Sequence, residues 1–249
     1  MATDFSKKEA AEILKAEHLA KHSEEMRYFH DKLSILHHDV YFVQQIADFP
    51  FDLFIKPYDD YFLRLVADNF IQMAILQITK LTTDSGGDAR TLRQFKNFMD
   101  AAVKDEYLAD YRKLMKKAKF NPRIEKLIAK AKDLRDKHIA HSVGERVDVL
   151  TFSEIKEITR ELTNLYEVAS FSTEYRYLIL AYDPTLQNPA GTDPRPDIER
   201  ILDSIARESS VLNEPETNPV AWPYLRQGWS PTMVEQFNRY RRKCGLQEV

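Results

Sequence analysis

The chain of 249 residues holds a single cysteine, Cys244. No intrachain disulfide can form and no cysteine-based zinc site can be built. A reducing compartment is therefore expected, with the protein cytoplasmic. Glycine is scarce too, at six residues, far below the usual share of about 7%. A β-rich fold needs more of them for its tight turns, so long helices with few turns are expected. No run of about 18 apolar residues occurs, so no transmembrane helix and no membrane partner are expected. The first eight residues lead into a charged pattern and not into a signal-peptide core. A global basic excess is also missing, since the net charge is −3. Contact with nucleic acid must then rest on a local patch. Nucleophile-elbow, dinucleotide and P-loop fingerprints are absent, and Gly86-Gly87 reads as a turn.

What is present describes an ordinary globular chain: 43% hydrophobic and 30% charged. Its length suffices to bury roughly 70–75% of the unfolded surface. Residues 1–182 read as one domain of five helical segments. The first runs from Ser6 to about Ala47, with Ile13, Met26, Phe29, Leu33, Leu36, Val40, Val43 and Ile46 at steps of mostly three or four. The second runs from about Asp59 to Thr82 and presents Phe62, Leu65, Val66, Phe70, Met73, Leu76 and Leu81, before a turn at 84–88. The third opens on a capping box, Thr91 to Gln94, and reaches Met115. The fourth opens at Asn121-Pro122, an N-cap followed by proline at the first helical position, and stops near Gly144. The fifth follows Ser153 and extends to about Tyr182; residues 147–152 alternate weakly, as a short extended piece would.

Composition shifts at Asp183-Pro184. Eight of the eleven prolines and both tryptophans follow. Residues 183–249 are read as a Pro-rich appendage with two short helices, about 197–209 and 231–243, the second capped by Ser230-Pro231. The group Trp222, Tyr224 and Trp229 could stack on bases, although such groups more often pack a tail onto protein.

The fourth segment carries the stretch Arg135-Asp136-Lys137-His138-Ile139-Ala140-His141. Its stripe Ile124, Leu127, Ile128, Ala131 and Leu134 continues onto His138. At about 100° per residue, Arg135 and His141 flank that line about 120° apart, and His138 falls on the core edge. From Lys104 to Lys137 there are twelve Lys/Arg against six Asp/Glu, a net +6 that leaves −9 on the rest. Such a run is usually a solvated helix face. It also offers Arg123, Lys130, Lys132 and Lys137 to a phosphate backbone.

Arg135-Asp136 followed by His141 resembles the signature of the HEPN superfamily. Three stretches in order resemble its abortive-infection AbiU-like family: Ile75 to Asp84, Arg135 to Ser142, and Leu150 to Glu154. The resemblance covers about 1–180. It implies an all-α, HEPN-like antiparallel bundle that forms a homodimer with two Arg–His motifs facing one cleft. For active members it implies metal-independent RNA cleavage, with no cofactor, in phage defence or toxin-like growth inhibition. A neutralising antitoxin protein is a possible partner, and a module that binds nucleic acid or protein without cleaving is the alternative. In that reading His141 moves protons at the ribose 2′-OH and the 5′-oxygen. Arg135 braces the phosphate, Asp136 orients its neighbours, and His138 is a secondary proton carrier.

Five more histidines lie in the first segment. His18 and His22 stand at i, i+4, a spacing that can clamp a metal. No third ligand has a clear place, so no metal site is assigned, and these histidines are read as surface or interface residues.

Overall fold

In a computed structural model of the chain, residues 5, 8–54, 61–84, 90–117, 120–139, 149–169 and 197–249 are described. The all-α class holds: the described residues contain helices and one isolated β-bridge, with no strand. The contacts divide the chain into two units, one of residues 1–41 and 69–183, the other of residues 42–68 and 184–249.

The first unit is built from amphipathic helices around one core. Helix α1 (Leu19–Asp48) contributes Met26, Phe29, Leu33 and Leu36, all fully buried. Helix α2 (Tyr61–Thr82) contributes Ala74, Ile75, Ile78 and Leu81. The expected stripe on α2 coincides with the buried face only in part: Leu81 is buried. Phe62, Leu65 and Met73 are exposed, because the α2 sequence is apolar on more than one side and periodicity alone does not choose among them.

Helix α3 (Leu92–Ala102) starts as its capping box dictates. Gln94 N donates to Thr91 Oγ1 at 3.2 Å, and Thr91 N donates to Gln94 Oε1 at 2.8 Å. Helix α4 (Asp105–Lys117) buries Tyr111 and Met115. Helix α5 (Pro122–Leu134) starts with Ile124 N donating to Asn121 Oδ1 at 2.9 Å, and buries its whole expected stripe. Helix α6 (Phe152–Ala169) buries Ile155, Ile158, Leu162 and Tyr166. Its cap is Thr151, two residues before the expected Ser153. Thr151 N donates to Glu154 Oε2 at 2.7 Å and Glu154 N donates to Thr151 Oγ1 at 3.3 Å. Thr-x-x-Glu supplies both halves of a capping box, which Ser153 lacks.

Two expected helices are each broken once, and the breaks meet. The first segment is interrupted after Ala10–Ile13, where Leu14 is extended. The third is interrupted at Val103. Leu14 and Val103 pair as an antiparallel bridge: Lys15 N donates to Ala102 O and Lys104 N to Ile13 O, both at 2.9 Å. Lys104 Nζ then satisfies the carbonyls of Ala11 and Glu12 at the end of the short helix. The chain trades intrahelical bonds for bonds between two segments, while Ile13, Leu14 and Val103 stay fully buried.

The second unit has a core of its own. Helix α7 (Asp197–Glu208) buries Ile198, Leu202 and Ala206, and helix α8 (Pro231–Lys243) buries Phe237 and Tyr240. Ser230 caps α8 by accepting from Met233 N. Aromatic rings dominate the packing: Phe54 on Tyr240 at 4.9 Å, Trp222 on Phe237 at 5.1 Å and Trp229 on Phe237 at 5.0 Å between centroids. Arg241 is fully buried and donates to Leu212 O, Gln247 O and the Glu216 carboxylate. Short helices at Ser210–Asn213, Glu214–Thr217 and Trp222–Leu225 join the two longer ones. Trp222 is thus occupied by packing, whereas Tyr224 is exposed. Of the expected extended piece at 147–152, Thr151 caps α6 and Phe152 opens it; residues 147–148 and the ends of the fourth and fifth segments lie outside the described residues.

Candidate functional site

Helix α5 does not run straight into the Arg–His stretch. After Leu134 the backbone widens into a π-helical turn, Arg135–Ile139. Such i→i+5 turns are rare and concentrate at functional sites. A wider turn also advances each residue by less than about 100°, so the angles expected for a regular helix do not carry across this segment.

Arg135 is half-buried and held by two carboxylates. Its Nε donates to Asp136 Oδ1 at 2.7 Å, and its Nη1 lies 3.8 Å from Asp84 Oδ1. Asp84 follows the end of α2, where its N–H donates to Thr79 O at 3.1 Å. The hydroxyls of Thr79, Thr82 and Thr83 donate to the carbonyls of Leu76, Ile78 and Thr79. The Ile75–Asp84 stretch thus places apolar residues in the core, satisfies its own helix end and delivers a carboxylate to Arg135.

The Leu150–Glu154 stretch closes on the same helix. Besides capping α6, Glu154 accepts from Lys130 Nζ at 3.3 Å, and its carboxyl is held below the usual range, first by the Thr151 N–H. One turn on, Glu157 takes Arg123 in a two-pronged pair at 2.9–3.2 Å. All three quoted stretches therefore converge on α5 and the turn that follows it.

Of the expected site residues, Arg135 and Asp136 are brought together. His141 lies outside the described residues. His138 belongs to the π-helical turn by its backbone, and its side chain is not described. Among the phosphate-binding candidates, Arg123 and Lys130 fasten α5 to α6, Lys132 is exposed, and Lys137 is half-buried.

Asp84 closes the first of the three quoted stretches, but sequence reading gave it no role at the site; its contact with Arg135 comes from the packing. Its charge also reaches Tyr28 on α1, whose hydroxyl is pushed up by burial first and by Asp84 in part. Arg90 covers the Tyr28 ring at 5.4 Å and pairs with Glu24 at 2.6 Å.

The histidines of the first segment are half-buried or buried, and none is fully exposed. His22 is buried, packs on Phe95 at 6.2 Å, and is pushed down to about 4 by burial. His18 meets the edge of Phe98 at 5.7 Å, and His37 Nε2 lies 2.8 Å from Thr163 Oγ1. The i, i+4 spacing of His18 and His22 is a packing pattern against α3. Among the described residues no three His, Cys, Asp or Glu side chains gather as a metal site would require, and no helix is long and apolar enough to cross a membrane.

Residues 56–176 match the family model HEPN_AbiU2, described as AbiU2. The match contains all three stretches quoted above and leaves out all of α1 and the C-terminal residues. No curated protein and no solved structure matches the chain.

Proposed function

From this AbiU2-type HEPN match over residues 56–176, we propose that the protein is a homodimeric, metal-independent endoribonuclease acting in phage defence or growth inhibition. The observation that carries the reading is the π-helical turn that presents Arg135, half-buried and oriented by Asp136. In the reaction the ribose 2′-oxygen attacks phosphorus and the bond to the 5′-oxygen breaks, leaving a 2′,3′-cyclic phosphate and a 5′-hydroxyl. One histidine takes the 2′-proton and another supplies a proton to the leaving oxygen. Two copies of His141, one from each subunit, meet that requirement. Arg135 neutralises charge building on the phosphoryl oxygens, and Asp136 keeps its guanidinium in place.

The test is cleavage of labelled RNA in EDTA by the wild type beside Arg135→Ala and His141→Ala. The expected outcome is cleavage by the wild type and a loss of about 100-fold or more in each variant. Undiminished cleavage by His141→Ala, or a chain that is monomeric at micromolar concentration, overturns the mechanism.

A second reading is favoured by one specific observation. Arg135 is already bonded to Asp136 and lies near Asp84, so part of its charge is committed before a phosphate arrives. In that reading the module binds nucleic acid or a protein partner without cutting. Salt-sensitive RNA binding with no cleavage supports it.

A further inference from the structure

A cavity of about 480 Å³ opens in the first unit beside the end of α2. Among the described residues its floor is apolar, with Leu92, Met115, Phe120, Ile128 and Leu165. Its rim is charged. Arg93 and Lys96 stand one turn apart on α3, and Glu125 comes from α5. Neither cation makes an ion pair or side-chain hydrogen bond with any described residue. Most other basic groups near the Arg135 site differ in this respect: Arg90, Arg123, Lys130 and Arg135 are each matched to a carboxylate.

An apolar floor beneath two unneutralised cations suits a ligand with a flat apolar body and an anionic end. The size falls within the range of small-ligand sites, roughly 300–1,000 Å³. An unpaired nucleobase with its phosphate has that form. In such a seat the base would rest against the half-buried Phe120 and the phosphate would face Arg93 and Lys96. The Glu125 carboxylate accepts from an exocyclic amine, which adenine, cytosine and guanine carry and uracil lacks.

The location ties the cavity to the Arg135 turn. Thr82 forms part of its wall. Asp84, two residues on, lies no more than about 7 Å away along the backbone, and its carboxylate is 3.8 Å from Arg135 Nη1. A base seated in the cavity therefore leaves a neighbouring phosphodiester within reach of Arg135. We propose that this cavity is a base-accepting subsite that holds one unpaired, amine-bearing nucleobase and sets where along an RNA chain the Arg135 site acts. It rests on RNA as the ligand of the Arg135 site.

The test uses the full chain and short 2′-O-methyl oligonucleotides, which lack the attacking hydroxyl, with affinity read by fluorescence anisotropy. Oligo-A and oligo-C are expected to bind about tenfold more tightly than oligo-U, the size of one hydrogen bond to a charged group. The rim pair Arg93→Glu with Lys96→Glu weakens all three. Glu125→Gln on the exposed rim, and Ile128→Trp in the floor, bring the three affinities together. Equal affinities in the wild type, the wild-type ratio kept in Glu125→Gln, or unweakened binding in the double charge reversal overturns the subsite; these are surface changes, so the outcome does not depend on Ile128→Trp folding.

Adenosine monophosphate in competition separates the two sources of the same chemistry. Displacement at the oligonucleotide's own concentration assigns the cavity to a free nucleotide and overturns the chain-binding form; no displacement upholds it. Cleavage of natural RNA separates this proposal from the ribonuclease reading. Arg135-dependent cleavage with no base preference sinks the subsite alone. Base-selective binding with no cleavage sinks the ribonuclease alone.

Discussion

Arg135 shares its guanidinium between a near carboxylate and a farther one, and the two have different consequences. Asp136, at 2.7 Å, is a directional partner that fixes the plane of the fork. Asp84, at 3.8 Å and about half exposed, acts mainly through its charge. Two unit charges about 4 Å apart in water interact by about 1 kcal/mol. Asp84→Asn is accordingly expected to tighten RNA binding about fivefold at low salt, whereas Asp136→Asn loosens the arginine and lowers the cleavage rate. Titration of labelled RNA at two salt concentrations checks the first effect; unchanged affinity in Asp84→Asn removes Asp84 from the site. Two buried groups away from the turn contribute opposite pH responses to stability. His22 has its folded value lowered to about 4 by burial, so the unfolded chain takes the proton first and stability falls as pH drops from about 6.5 to about 4. Asp39 is buried, its Oδ2 has no hydrogen bond among the described residues, and its carboxyl is raised to about 6. Its contribution is present below about 3.8 and is lost as pH rises through about 6. The two slopes oppose each other over most of this window. Asp39→Asn should raise stability at pH 7 and leave a steeper loss on acidification, both read from urea midpoints across pH. A midpoint at pH 7 that does not rise counts against the burial of an ionised Asp39.

At the scale of elements, α5 is the piece that everything else holds. Its start is fixed by Asn121, its length by Arg123 and Lys130 pairing with α6, and its end by Asp84 gripping Arg135. Glu154 performs two tasks, capping α6 and holding Lys130. Exposed and half-exposed pairs of this kind contribute about 1 kcal/mol or less. Glu154→Gln should therefore cost under about 1 kcal/mol through the lost pair. It should also release Lys130, so that RNA binding gains salt sensitivity. Unaltered salt dependence in this variant means that Lys130 does not contact the phosphate backbone. The helix starts were legible because Thr91/Gln94, Asn121-Pro122 and Ser230-Pro231 act within a single turn. The breaks at Leu14 and Val103 were not legible, because each is stable only through the other and they lie 89 positions apart. The side of α2 that turns inward was equally hidden, since Phe62, Leu65 and Met73 are as apolar as the residues that are buried.

At the scale of the whole molecule, the chain is organised as two units, and the second takes residues 42–68 together with the C-terminal part. Both tryptophans, Trp222 and Trp229, belong to it and contact Phe237. Tryptophan fluorescence therefore reports this unit alone. Arg241 is its buried polar anchor, and removing it leaves two carbonyls and Glu216 without their donor. Arg241→Ala should cost about 2–4 kcal/mol, mainly from the two carbonyls left unsatisfied, in the fluorescence-detected transition. The expected result is a lowered midpoint by fluorescence, and an unchanged midpoint means the anchor does not hold the unit together.

The sequence by itself determined the helical class, the starts of most helices and the helix that carries the Arg135 motif, since capping, helical periodicity and glycine scarcity act over a few residues. It also marked the three stretches that lead to Arg135, without showing why they belong together. Only the tertiary structure decided that they meet: Asp84 on Arg135 and Glu154 on Lys130 are contacts between distant segments, set by how the helices pack. It likewise replaced the regular helical turn at Arg135 with a π-helical one and turned His22 into a core residue. Local pattern records which residues suit a helix; the choice of neighbours depends on the packing of every helix at once.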